Sequence, residues 1–341
     1  MRIGIVGAGA IGCVVGGMLT RAGQDVVLID QWPEHVEMIK RRGLKLGGTC
    51  GDHLIPVQAR HVHEAQALDA PFDAMFVAVK SYDTEWATAL AVRHLGPDGV
   101  VVDFQNGLND ERVAAVAGRH RTLGCVITIG AGLYEPGHAL RTDSSPVGFK
   151  IGELDGRETP RARRLAEVLT AVAPAKVTTN LQGERWSKLA VNCMANPLAG
   201  LSGLGSAELR TEPQPAQIAI QIAGEVVQVG RACGYEVEPL FGIEAARFVD
   251  AAAGRGRDQV LADMAAGARA LRGGRPSLLQ DVMRGRRTEI DYLNGAVVAE
   301  GRRTGIKTPF NDAIVRLFAT LGVGFKPDPR HLEPLIRMLP R

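Results

Sequence analysis

The chain lacks any cysteine pairing that would staple a small fold or hold zinc. Its five cysteines, Cys13, Cys50, Cys125, Cys193 and Cys233, stand far apart with no C-x-x-C spacing. They read as reduced, packed thiols, and no metal site is expected. Long apolar runs are missing too, with no window near the eighteen or so uninterrupted apolar residues of a membrane span. The first residues lack the charged-then-apolar layout of a signal peptide, which points to the cytoplasm. Charge of one sign is not in excess: 40 basic side chains face 37 acidic ones, for a net charge of +3. That excludes the broad basic field of a nucleic-acid or membrane-surface binder and leaves a small bias toward anionic small molecules. Neither a repeat of about 20 to 50 residues nor a low-complexity tract is present. What remains is an ordinary globular composition, 45% hydrophobic over 341 residues, long enough for two domains.

The chain begins with a short apolar strand running into Gly7, Ala8, Gly9, Ala10, Ile11 and Gly12, a G-x-G-x-x-G spacing between a strand and a helix expected over 10–21. In a dinucleotide-binding turn, the first glycine makes the tight bend, the second lets backbone approach a pyrophosphate, and the third lets helix and sheet pack closely. The helix N-terminus then faces the phosphates. A Gly-rich turn without a ligand is the competing reading.

Apolar runs over 25–30, 73–79, 100–104 and 122–129 read as buried strands, with helices from Pro33 and over 83–94, so the first part is a Rossmann-type doubly wound parallel sheet. Runs over 44–46 and 54–57 suggest a hairpin. Short runs between 130 and 152 suggest antiparallel strands completing the sheet, and a helix over 160–173 with a strand over 176–179 closes a domain of residues 1–180. Helical periodicity then takes over at 186–198, 218–233, 244–271, 278–287 and 289–305, giving an all-helical domain over 181–320. Glycines at 230, 234, 273, 274 and 305 are placed to stop helices. A loop is expected over 272–276, and residues 321–341 form a tail that is extended or loosely packed.

Four local patterns carry chemistry. Lys80 follows a buried strand, where open α/β sheets place ligands, although a loop lysine is often simply solvated. Gln105-Asn106-Gly107 follows the next strand; Asn106 is suited to a ribose hydroxyl or a substrate, or the segment is a plain turn. Lys188, Asn192 and Asn196 stand at i, i+4 and i+8 on one helix face. Asparagines there are poor helix formers and costly to bury without partners, so packing alone explains them badly. Ser277 is followed by Arg287-Thr288-Glu289-Ile290-Asp291-Tyr292-Leu293-Asn294-Gly295, where Thr288 or a neighbour caps the next helix, with Glu289 and Asp291 favouring its positive end, or Glu289 has a chemical role.

In the order of these motifs, over nearly its full length, the chain resembles the ketopantoate reductase family, enzymes that reduce 2-dehydropantoate to pantoate with NADPH on the way to pantothenate. The resemblance implies that Lys188 donates the proton, that Asn192, Asn196 and Ser277 line the substrate pocket with Asn106, that Lys80, Asn106 and the backbone near Gly130 contact the cofactor, and that Glu289 sits where cofactor and substrate meet. An ammonium suits a ketone that gains alkoxide character on reduction, and a water-excluding cleft between the domains is implied.

Three features depart from the pattern. Ser206 replaces a further asparagine ten residues beyond Asn196, the chain is longer between 209 and 275, and it carries extra residues after about 320. Asp30, eighteen residues after Gly12, is placed to bond both ribose hydroxyls and repel a 2′-phosphate, which favours NADH over the NADPH implied by the family; capping the next helix is its alternative role. The expected partner is a small 2-oxo acid, with no nucleic acid or membrane, and a homodimer is compatible. Another two-domain dehydrogenase of the β-hydroxyacid or opine type, or a nucleotide-binding regulator without catalysis, stays open.

Overall fold

The computed structural model describes residues 1–143, 146–268 and 276–340. Of the loop expected over 272–276, residues 272–275, with Gly273 and Gly274 as helix stops, lie outside these residues. The chain divides into two compact units, Met1–Leu181 and Gln182–Arg341.

In the first unit the elements are β1 (Arg2–Val6), α1 (Ala10–Arg21), β2 (Asp25–Asp30), α2 (Pro33–Arg42), β3 (Leu44–Gly48), β4 (His53–Ile55), β5 (Gln58–His61), β6 (Phe72–Val77), α3 (Thr84–Arg93), β7 (Leu95–Asp103), α4 (Asp110–Ala117), β8 (Thr122–Ile127), β9 (Ala131–Glu135), β10 (His138–Arg141), β11 (Phe149–Glu153), α5 (Pro160–Leu169) and β12 (Ala175–Val177). Among the described residues, the main sheet has the order β12-β11-β8-β7-β6-β1-β2-β5, and every pair is parallel except β11 with β8. Both faces are buried, as the continuous apolar runs require. Ile3, Ile5, Leu28 and Phe76 pack on one side, and Val6, Ile29, Met75 and Val77 on the other.

Three expectations change here. β9 and β10 do not complete the main sheet: β10 pairs with β9 and, in parallel, with β3, forming a separate four-stranded sheet with β4. Only β11 joins the main sheet, against β8. Beyond the hairpin of β3 and β4, β5 adds itself to the edge at β2, and α4 fills the connection between β7 and β8; the sequence reading contained neither.

The second unit is helical among its described residues: α6 (Leu181–Ser202), α7 (Glu208–Thr211), α8 (Pro213–Ala232), α9 (Ala245–Ala252), α10 (Arg257–Ala268), α11 (Ser277–Met283), α12 (Asn294–Thr304), α13 (Pro309–Leu321) and α14 (Glu333–Ile336). The single helix expected over 244–271 is two, broken where Gly254 and Gly256 take φ of 89° and 66°. Gly230 stops nothing. It lies inside α8, where a Cβ would sit 3.0 Å from Cδ2 of Trp186, so it is a packing contact. The residues after 321 are not loose: Leu332 and Leu335 are buried, Phe325 packs edge-on to Phe318, and the Asp328 N–H donates to the Leu201 carbonyl at 2.8 Å.

Candidate active site

Five strands of the main sheet end side by side. In the order β2-β1-β6-β7-β8 their carboxyl ends lead to Asp30, Gly7, Lys80, Asn106 and Gly130. The register aligns those ends, with Val6 opposite both Ile29 and Val77, and Val77 opposite Asp103. This edge is where parallel sheets take their ligands.

The glycines divide their tasks by geometry. Gly7 has φ of 104°, and a Cβ there would meet the carbonyl carbon of Ala78 at 2.7 Å. Gly12 would bring a Cβ within 2.0 Å of the Gly7 carbonyl oxygen. At Gly9 a Cβ would meet nothing within 4 Å. Gly9 also precedes α1, whose first N–H groups have no intrahelical partners. The Ala8 peptide between these glycines is clamped at both ends. Its N–H donates to Asp30 Oδ2 at 2.7 Å, and its carbonyl accepts the Cys13 thiol at 3.0 Å. Asp30 Oδ1 accepts the Trp32 N–H at 2.9 Å, so Asp30 ties the turn to the end of β2. The N-cap residue of α2 is Trp32, not Asp30.

Behind the turn lies His35, fully buried and absent from the sequence reading. Its Nδ1 accepts the Gly137 N–H at 2.9 Å, so Nε2 carries the proton and faces Cys13 Sγ at 3.3 Å. Burial holds the His35 pKa below the usual histidine range, against the opposing pull of Asp30, and burial also pushes the Cys13 thiol up.

Lys80 and Asn106 are joined through their neighbours. Gln105 Nε2 donates to the Val79 carbonyl at 3.0 Å, and Asn109 Nδ2 donates to the Asn106 carbonyl at 2.7 Å and to Ser81 Oγ at 3.0 Å. Arg112 of α4 locks this pair of loops by donating to the Ser81 carbonyl at 2.7 Å and to Asn109 Oδ1 at 2.6 Å. The Gly130 carbonyl accepts the Thr142 N–H at 2.9 Å.

In the second unit, α6 carries Lys188 on a partly open stripe with Val191 and Ala195, and Asn192 and Asn196 are buried beside it, 6% and 7% exposed. Two other elements approach this helix. At Gly200 a Cβ would lie 2.5 Å from Leu278 Cδ2, which brings α11, beginning at Ser277, against α6. Asn294, the first residue of α12, donates to the Cys193 carbonyl at 3.4 Å, and the buried Glu289 stands five residues before it. Of the residues expected to cap here, Thr288 caps neither element, while its neighbour Glu289 holds the N-cap position of the short 3-10 turn Ile290–Tyr292 without a side-chain capping bond, and Leu293 holds that of α12. Ser206 is half-buried in the turn before α7. Sequence reasoning missed Asn109, Arg112 and His35, whose bonds run over 3 to 102 residues; Asn294 was visible in its motif but had no role.

Two family profiles match in succession, "Ketopantoate reductase PanE/ApbA" over residues 3–156 and "Ketopantoate reductase PanE/ApbA C terminal" over residues 180–321. The chain is similar to the 2-dehydropantoate 2-reductase of Archaeoglobus fulgidus, 33% identical over 319 residues, which are 93% of this chain and 96% of that protein. It is 28% identical to the enzyme of the same name from Pyrococcus horikoshii, over 96% of this chain and all of the other. Among solved structures it is similar to 2-dehydropantoate 2-reductase from Geobacter metallireducens, with a TM-score of 0.80 at 26% identity, covering 94% of this chain and 100% of that one.

Proposed function

The chain belongs to the ketopantoate reductase family, and from that premise we propose that it is a nicotinamide-dependent oxidoreductase reducing 2-dehydropantoate to pantoate, working in the cytoplasm. The observation that carries this reading is the face of α6, where a half-buried lysine, Lys188, stands one turn from a buried amide, Asn192, with a second, Asn196, one turn further. A lone lysine has many uses. A lysine beside two buried amides suits a substrate that is at once a ketone, a hydroxyl and a carboxylate.

The residues of the first unit fit a dinucleotide. Gly9 leaves open the space a Cβ would fill, and the clamped Ala8 peptide holds the turn rigid. In this reading the backbone over 7–12 holds the pyrophosphate, Lys80, Asn106 and Gly130 contact the nicotinamide half, and Asp30 accepts from the ribose. The reduced cofactor, when bound, supplies the hydride. Lys188 stabilises negative charge growing on the ketone oxygen and gives that oxygen its proton. Asn192, Asn196, Ser206 and Ser277 orient the acid, with Asn106 as a further contact, and Glu289 accepts a hydrogen bond from the substrate hydroxyl or from Lys188.

The cofactor we infer is NADH. Each Asp30 oxygen accepts a single backbone N–H and keeps capacity for a ribose hydroxyl, the residues after it are Gln31 and Trp32, and Lys40 is engaged by Glu37 and Glu64. A carboxylate there opposes a 2′-phosphate.

Steady-state kinetics test both parts. Lys188→Ala should lower kcat by about 10²- to 10⁴-fold with cofactor affinity unchanged, because the group acts on charge that develops in the transition state. Near-normal turnover would remove Lys188 from the chemistry. Wild-type kcat/KM should favour NADH, and Asp30→Asn should narrow the gap; a wild type preferring NADPH, untouched by the substitution, overturns the cofactor reading and leaves the reductase standing.

A further inference from the structure

A proline inside an α-helix withholds one hydrogen bond, because its nitrogen has no proton to give to the carbonyl four residues earlier. In α6 the proline is Pro197 and the deprived acceptor is the Cys193 carbonyl. Cys193 is fully buried, so water is not at hand to replace the donor. The replacement comes from another helix: Asn294 Nδ2 donates to Cys193 O at 3.4 Å and to Asn311 Oδ1 at 2.9 Å. Asn311 Nδ2 in turn donates to Glu225 Oε2 at 2.7 Å, and the Glu225 carboxyl accepts the N–H groups of Phe310 and Asn311 at the start of α13, at 2.8 and 3.0 Å.

The amide of Asn294 can face only one way in this chain, since both of its neighbours are acceptors. That leaves its Oδ1 buried without a partner, a desolvation cost that an apolar residue would avoid. The donor end therefore needs a reason to be there. Asn192 is the residue before Cys193, and Asn196 is the residue before Pro197. The position before a proline already resists helical geometry, so the path of α6 through both asparagines depends on how the missing hydrogen bond is replaced.

We propose that Asn294 is a positioning residue for substrate binding: its amide supplies the hydrogen bond that Pro197 withholds and so fixes the turn of α6 that carries Asn192 and Asn196 toward the 2-oxo acid. The proposal rests on the reading of those two asparagines as substrate ligands. Glu225 and Asn311 anchor Asn294 from behind and touch nothing on α6 themselves in this chain of bonds.

A double-mutant cycle with Pro197→Ala tests it, because alanine restores a backbone N–H at 197. Asn294→Leu should raise KM for 2-dehydropantoate about tenfold, with kcat within about threefold and cofactor affinity unchanged. In the Pro197→Ala background the same substitution should change KM by less than about threefold, since Cys193 then has its own donor. Amide hydrogen exchange over 193–201 should rise in Asn294→Leu and return in the double variant, a readout that needs no turnover. If the leucine variant does not fold, Asn294→Ser is taken through the same cycle, with a smaller rise expected. An Asn294 effect of equal size in both backgrounds, or a fall in Tm with KM and exchange unchanged, overturns the proposal. A wild type inactive on 2-dehydropantoate would instead sink the reductase reading, and the exchange cycle would still decide this one.

Discussion

Gly9 and Gly12 belong to one motif, yet alanine at each should fail in a different way, and the difference can be worked out from contacts. At Gly12 a Cβ would lie 2.0 Å from the Gly7 carbonyl oxygen, where real Cβ atoms stay beyond 3.0 Å. The start of α1 would have to retreat by about 1 Å, while Gly7 is held by its bond to the Ile29 carbonyl and by the Ala78 backbone against it. Overpacking of this kind costs about 1–3 kcal/mol, of which alanine's better helix propensity returns about 0.5–1. The middle of both ranges leaves about 1.2 kcal/mol net, and at roughly 2–4 °C per kcal/mol for a unit of this size Gly12→Ala should melt about 2–5 °C below wild type. Gly9→Ala meets no atom within 4 Å and keeps an ordinary extended backbone, φ −69° and ψ −167°, so its Tm without cofactor should move by no more than about 1 °C. Its methyl group would occupy the space proposed for the pyrophosphate, and NADH affinity should fall at least about tenfold. Thermal melts without ligand and cofactor titration by fluorescence separate the two. A Gly9→Ala protein that binds both NADH and NADPH as the wild type does would refute the placement of the pyrophosphate, and a Gly12→Ala protein of unchanged Tm would refute the packing argument.

Two buried groups should bend the stability curve in opposite senses. The pKa of His35 is lowered in the fold by burial, so the unfolded chain binds the extra proton and the contribution of His35 is lost as pH falls below about 6.5; His35→Gln should flatten that acid limb in Tm measured against pH. Burial raises Glu225 from 4.5 to about 7 despite its three N–H donors, so the folded state holds the proton and stability falls as pH rises from 4.5 to 7, by at most about 3 kcal/mol; a Glu225→Gln variant retaining that slope would show that another group causes it. Ser206→Asn adds an amide where the family resemblance places one, and should lower KM for 2-dehydropantoate by up to about tenfold, one neutral hydrogen bond; a neutral or harmful effect in an already efficient enzyme would make Ser206 purely structural.

Where the sequence was legible, one local force dominated. β2 spans Asp25–Asp30 and α1 spans Ala10–Arg21, as expected, because a run buried on both faces and a glycine turn each leave an unmistakable local mark. β5 left none: Gln-Ala-Arg-His is polar, buries only Ala59 fully, and exists because β2 offers it an edge. The same holds for β10, which pairs with β3 across some ninety residues of chain that no local pattern encodes. α4 was hidden by its brevity and by the Asn106-Gly107 turn signal before it. The packed end of the chain escaped because Phe325, Leu332 and Leu335 sit among prolines and polar residues with no helical period.

The candidate site was legible in its residue types and opaque in what holds them. Lysine and asparagines at i, i+4 and i+8 on one helix advertise chemistry, since neither packing nor propensity would choose them. The supports are ordinary by comparison. A histidine in α2, an arginine in α4 and an asparagine heading α12 look like surface or capping residues in sequence, and their meaning lies in hydrogen-bond partners 22 to 102 residues away. Such partners share a physical cause. Each satisfies a backbone group that strands and helices leave without its usual partner, namely the Gly137 N–H between β9 and β10, the Ser81 carbonyl after β6, and the Cys193 carbonyl four residues before Pro197. Strand ends in the first unit, and a helix with a proline inside it in the second, each create orphan donors and acceptors as a by-product of their shape. The side chains that answer them are therefore where this fold pays for its openness, and where substitutions outside the reacting groups should most often reach activity.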